Sequence, residues 1–306
     1  MSFFQCKYTT FLAPILIFSW VMASAHAAQD FETTRLTSTA GAGVGSILMD
    51  EATVLNPAPL AFFGLSAFYI QKASTTQTYA PEGSSEALAP EKSDQLGVIV
   101  SDARGKAAGS ISYHKVDIDS EKRKRLAAAM AYRTSDSSSI GIAYKMSEEG
   151  TRNPGAIDYL TKKYSTISIG VTHVADNGLS LGLLADDPQG KGPNGNRGTF
   201  GAQYVYKDFI TLMGDLGAKY KTGTFSETMF YRIGAQFGLF QDFFLRIGTS
   251  YDKGLAIKSQ GIGLSWIQPK LMIDFALKSS TLMQRDSIAQ ANSKEKESSI
   301  ALSYRF

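Results

Sequence analysis

From Ala61 onward the chain repeats one pattern: about ten residues alternating apolar with small or polar side chains, then a turn. Successive side chains of a β-strand point to opposite sides, so this alternation writes two-faced strands. Phe209–Lys221, FITLMGDLGAKYK, sets Ile210, Leu212, Leu216, Ala218 and Tyr220 against Thr211, Met213, Asp215, Gly217 and Lys219. The next segments repeat the division. Met229, Tyr231, Ile233, Ala235 and Phe237 oppose Phe230, Arg232, Gly234 and Gln236; Phe243, Leu245, Ile247 and Tyr251 oppose Arg246, Gly248 and Ser250; Leu271, Ile273, Phe275 and Leu277 oppose Asp274 and Lys278.

A soluble sandwich also alternates, but three features favour a transmembrane barrel. The polar face is small, glycine-rich and sparsely charged, as suits a crowded lumen. Tyr144, Tyr164, Tyr204, Tyr206, Tyr220 and Tyr251 fall near strand ends, where a barrel carries aromatic girdles. Connection lengths also alternate. Strands are expected near 61–73, 94–102, 107–117, 124–134, 139–147, 162–174, 179–185, 199–206, 209–221, 227–238, 242–252, 257–267, 270–278 and 296–306. Even-numbered connections are tight (ARGK, SDSS, ADNG, KD, LFQ, QP), and odd-numbered ones are mostly long. Outer-membrane barrels have this asymmetry of short inner turns and longer outer loops. The expected fold is therefore all-β, a transmembrane antiparallel barrel of about fourteen strands. Twelve is the alternative, because the seventh and twelfth strands are short or glycine-rich. The closing segment SSIALSYRF puts Ile300, Leu302, Tyr304 and the terminal Phe306 on one face, an ending that looks like the signal read by the outer-membrane assembly machinery.

Lys7 precedes the apolar run FLAPILIFSWVMA and then SAHA, the pattern of a secretory signal cleaved after Ala27. Residues 1–27 are read as that signal, 28–60 as an N-terminal plug and 61–306 as the barrel, located in the bacterial outer membrane. Cys6 leaves with the signal, so disulfides and thiolate metal sites are excluded. A mean hydropathy of −0.10 resembles a soluble protein, yet a barrel apolar outside and polar inside averages to such a value. The net charge of +3 is nearly balanced. With no basic stripe interleaved with aromatics, nucleic acid is excluded as a partner.

A barrel this wide approaches the size that leaves a channel. STAGAGVGSILMDEATVLNPAPLAFF, ahead of the first strand, is compact, proline-turned and apolar enough to enter the lumen. Its small residues let backbone approach the wall closely.

TAGAGVGSILMDEAT followed by LNPAPLAFFGLSAFYI resembles the plug and first strand of the long-chain fatty acid transporter family, the FadL-type outer-membrane proteins. The match covers about residues 36–70 and rests on Gly41, Gly43 and Gly45, on Asp50, Glu51 and Ala52, and on Asn56, Pro57 and Ala58. The resemblance implies a fourteen-stranded barrel, an N-terminal hatch and passage of hydrophobic molecules such as fatty acids. Pro59 departs from the pattern, as do the modest outer loops, which in the family help build a hydrophobic docking groove. Relatives with the same plug also serve as non-transporting partners in secretion systems, so a scaffold barrel is the second expectation. A general diffusion porin is a third, disfavoured by the apolar plug.

Other motifs carry less. GAGVGS follows no strand and opens no helix, as a nucleotide loop would require. His114 and His173 lie in no nucleophile motif, so no catalytic residue is assigned. No clustered ligands suggest a metal, and no cofactor is expected. The charge run DIDSEKRKR (117–125) reads first as a solvated outer hairpin, with contact to lipopolysaccharide phosphates as the alternative. The inward charges Lys145, Asp215, Lys219, Arg232, Arg246, Asp274 and Lys278 are expected mostly to pair with one another; if basic members stay unpaired near the plug, the adjacent Arg232 and Arg246 are the candidates to hold a fatty carboxylate.

Overall fold

The computed structural model describes residues 31–80, 90–118, 121–151, 159–193, 195–207, 209–221, 223–282 and 292–306. The leader expected over 1–27 lies outside them, as do the middles of three long connections. Fourteen strands follow in order: β1 Ser66–Ala80, β2 Glu91–Asp102, β3 Ala107–Ile118, β4 Glu121–Arg133, β5 Ser138–Thr151, β6 Leu160–Val174, β7 Leu179–Asp186, β8 Arg197–Tyr206, β9 Ile210–Lys219, β10 Phe230–Gly238, β11 Phe243–Asp252, β12 Ile257–Ile267, β13 Leu271–Leu282 and β14 Asn292–Arg305. Each pairs antiparallel with its chain neighbours, and β14 returns to β1 to close the barrel. Closure pairs every strand edge, the condition for strands to stand in hydrocarbon. The seam is bonded to its end: Phe306 N donates to Ser66 O at 2.9 Å, and Ser66 N to Phe306 O at 3.0 Å.

The alternation has its expected geometric meaning. On β3, Ile111 is 60% exposed while its neighbour Ser112 is 1% exposed. Tyr113, Leu126, Leu212, Ile233, Phe275 and Ile300 likewise face outward, and Ser110, Asp215, Arg246 and Asp274 are buried. The short seventh strand and glycine-rich twelfth both form, so the count is fourteen rather than twelve.

Several boundaries differ from the sequence expectation, and two of the differences have a clear cause. The first strand begins at Ser66, not Ala61, because Ala58–Phe62 form a 3-10 turn capped by Pro57 at φ −72°. Proline is preset for the opening of a helical turn and leaves no orphaned donor there. The charge run 117–125 is not simply a hairpin loop. β3 continues to Ile118 and β4 starts at Glu121, so its charges alternate between the two faces of the wall. Alternation fades as a signal where both faces become polar, which is why strands on this side outrun their apolar stretches.

Residues 33–63 lie inside the barrel. A short helix α1 (Thr34–Ser38), N-capped by Thr33, sits against β11–β14. The 3-10 turn sits against β3–β6, across the bore. A second short helix, α2 (Phe225–Thr228), lies in the connection between β9 and β10 and adjoins β9.

Candidate functional site

The site is the contact between this inner segment and the inward wall. After α1 the chain turns through Ala40 (φ 51°), Gly41 (φ 85°) and Gly43 (φ 154°), left-handed positions where glycine meets no Cβ penalty. The turn aims the amides of Gly43 and Val44 at β9, where the Asp215 carboxylate accepts them at 2.9 and 3.1 Å. Beside it, Arg232 on β10 donates to Gly41 O at 3.2 Å. Ser180 on β7 donates to Gly45 O at 2.5 Å.

Asn56 explains its place before the two prolines. Its Nδ2 donates to Val44 O at 2.8 Å and to Thr172 Oγ1 on β6 at 3.1 Å, while its Oδ1 accepts the Ala58 amide at 3.1 Å. One side chain thus ties two strands of the inner segment together, fixes the turn and anchors both to the wall. Ser139 on β5 then donates to Ala58 O at 2.8 Å. Pro57 and Ala58 also press on the wall, because a Cβ at Gly141 would lie 2.6 Å from both.

The acidic pair faces the opposite side of the bore. Glu51 accepts from Thr33 Oγ1 at 2.9 Å and lies 4.0 Å from Arg35. Asp50 accepts from Ser303 on β14 at 3.2 Å. Burial, and then the Glu51 charge beside it, push the Asp50 carboxyl up to about 6. Above them Thr34 N donates to Tyr69 and Gln71 of β1 at 2.9 Å, and Lys278 on β13 pairs with Glu32 at 2.8 Å.

Wall glycines receive the segment. Gly141, Gly170, Gly182, Gly201, Gly234, Gly248, Gly261 and Gly263 all point inward, and a Cβ on any of them would meet the inner segment between Thr37 and Ala58. Several are direct cross-strand partners: Gly141 with Gly170, Gly182 with Gly201, and Gly248 with both Gly234 and Gly261. At Gly45 the approach is backbone to backbone, with a Cβ placed 2.6 Å from the Gly201 carbonyl.

This polar attachment is not continuous around the bore, and its widest gap lies on one sector. Among the described residues, no hydrogen bond runs from residues 33–63 to β2, β3 or β4. Met49, Ala52 and Leu60 instead pack on an alanine surface made by Ala103, Ala108, Ala129 and Ala131. Higher on the same wall, buried His114 has both ring nitrogens unpartnered, and its ring lies 5.1 Å from Phe31.

The predicted carboxylate ligands are engaged within the protein. Arg246 is 2% exposed, donates to Asp274 at 2.7 Å and to Gln236 at 2.7 Å, and also bonds Ser265. Arg232 holds the inner segment at Gly41. Lys145 pairs with Asp186 at 3.1 Å. Sequence reasoning passed over Arg35, Ser180, Thr172 and the wall glycines. Only the recurrence of inward glycines at similar strand positions hinted at a shared contact. At the end of the barrel bearing the long connections, a cavity of about 110 Å³ is lined by charged groups including Glu32, Lys92, Arg123, Lys278, Glu295 and Glu297.

No protein-family model and no curated protein matches the sequence. Solved structures do match the fold. A FadL homologue from Pseudomonas aeruginosa is 12% identical over 89% of this chain and 98% of its own, with a TM-score of 0.60. The toluene transporter TbuX of Ralstonia pickettii is 13% identical over 90% and 99%, at 0.66. The toluene transporter TodX of Pseudomonas putida is 10% identical over 90% and 98%, at 0.65. A closed fourteen-stranded antiparallel barrel is thus the fold this chain shares with the FadL homologue and the toluene transporters.

Proposed function

We propose that the protein is an outer-membrane channel for hydrophobic small molecules, with residues 33–63 acting as a plug. The observation that carries this reading is the uneven attachment of the plug. Polar bonds tie it to most of the wall, whereas toward β2–β4 it rests on alanines and on the Arg133–Phe62 stack, with no hydrogen bond among the described residues. Such a seam parts without stranding a buried hydrogen-bonding group, which would otherwise cost about 1–3 kcal/mol for each one. A hydrophobic solute slides along Ala108, Ala129 and Ala131 while the bonded side stays seated. No bond is made or broken in the solute. Fatty acids and small aromatic hydrocarbons both suit that surface.

The test is uptake of labelled long-chain fatty acid and of toluene by cells with and without the protein. Arg133 on β4 stacks over Phe62 at 5.4 Å, so Phe62→Cys with Arg133→Cys can be bridged by a bifunctional thiol reagent. Uptake is expected to fall on deletion, and to fall again in the double variant once bridged. Normal import by the deletion strain would overturn the proposal. It would favour a second reading, a scaffold barrel with a permanently seated plug, for which the charged cavity at the long-loop end speaks.

A further inference from the structure

The outward face of the wall carries a feature that transport through the bore does not use. Lys115 on β3, Lys124 on β4, Glu148 on β5 and Lys163 on β6 are successive cross-strand partners, forming one rung across four strands. All four share the outward phase of the exposed Tyr113, Leu126, Met146 and Ile169 on their own strands. Two of the lysines have acidic neighbours: Lys115 pairs with Asp117, and Lys163 lies 3.3 Å from Glu148. Lys124 has no ion-pair partner among the described residues. One step farther from the apolar band, Lys122 sits over the Tyr159 ring at 4.8 Å. Lys122, Lys124, Glu148, Gly150, Tyr159 and Thr161 enclose a groove of about 170 Å³ on this outer surface. Gly150 and Thr161 keep its floor small. On β9–β11 the outward rim is aromatic instead, with exposed Tyr220 and Tyr231.

We propose that this groove binds the phosphorylated headgroup of an outer-leaflet glycolipid, with Lys122 and Lys124 on its phosphates and its acyl chains lying over Leu126 and Met146. Ammonium groups immediately beyond an apolar band meet the two parts of such a lipid at the heights where a bilayer presents them. Charge-assisted bonds to phosphate are roughly twice as strong as neutral ones, and juxtamembrane lysines gain further from an anionic surface. The inference rests on the outer-membrane reading above.

The experiment titrates the full-length mature protein, in neutral-detergent micelles, with bisphosphorylated lipid A and follows retained lipid by native mass spectrometry. Comparison arms use dephosphorylated lipid A, phosphatidylglycerol and inorganic phosphate. Wild type is expected to retain bisphosphorylated lipid A at least about tenfold better than Lys122→Gln with Lys124→Gln, given two charge-assisted contacts. The same substitutions at outward Lys258 and Lys296 are expected to change nothing. Equal retention by wild type and the first double variant would overturn the site. Equal retention of phosphatidylglycerol or dephosphorylated lipid A, or full displacement by millimolar phosphate, would overturn the glycolipid assignment. Cell fractionation reports separately on location: lysine-dependent binding by a protein absent from the outer membrane would support the groove and sink the reading beneath it.

Discussion

At the scale of single residues, the bore is held by ions that have left water. Arg246 and Asp274, both 2% exposed, satisfy each other with help from Gln236 and Ser265. Breaking such a pair from one side leaves a buried unpaired charge, at about 3–5 kcal/mol. Arg246→Ala is therefore expected to lower the unfolding temperature sharply, and Arg246→Ala with Asp274→Ala to recover much of the loss. Heat-modifiability on gels measures both. Asp50 supplies the pH dependence. Its carboxyl is raised from 3.8 to about 6 inside the barrel, so the seated segment favours the protonated form. That stabilisation is complete below the unfolded value and disappears as pH rises through 6. The Asp50 contribution should thus seat the segment more tightly at pH 5 than at pH 7. Amide exchange over residues 41–55 would register it, and Asp50→Asn should flatten the difference.

At the scale of elements, strands and inner segment are shaped for each other by what the strands lack. The inward glycines on β5–β8 and β10–β12 are not turn residues but clearances. They let the segment lie against sheet backbone while Asp215, Ser180 and Thr172 bond it. At Gly182 the obstructing atom for any added Cβ is the Val44 carbonyl, with Gly45 beside it. Backbone faces backbone there, and neither side has a rotamer to yield. Gly182→Ala should cost about 1–3 kcal/mol by overpacking and raise the frequency of open events in planar bilayers. Ala129→Gly on the alanine side should leave the closed state quiet, since it removes bulk from a contact without hydrogen bonds.

At the scale of the whole molecule, the barrel and its contents are separable in design. Strand pairing is continuous around the ring and includes no residue of the inner segment. Deleting residues 33–60 should leave a barrel that still closes through β1 and β14. That barrel should conduct steadily in a planar bilayer, while the intact protein stays mostly closed. A deletion variant as silent as the intact chain would mean that something other than this segment seals the bore.

How much of this was legible depends on the range of the physics involved. The period-2 alternation determined by itself that the chain forms two-faced strands and which face meets lipid, because side-chain direction in a strand is a local property. The choice of fourteen strands over twelve waited for the seventh and twelfth to form. The glycines and prolines of residues 41–59 likewise announced a turned, close-packed segment. Which groups would meet was not written locally. Gly43 and Asp215 stand 172 positions apart, and the sequence that expects the inward charges to pair does not say that Arg246 meets Asp274 until the curvature of the wall brings the two together. The small residues of β2–β4 look like any other inward face until the segment docks and leaves that sector, among the described residues, without a hydrogen bond to it. Ring closure decides such contacts, since it places strands distant in sequence around one narrow bore.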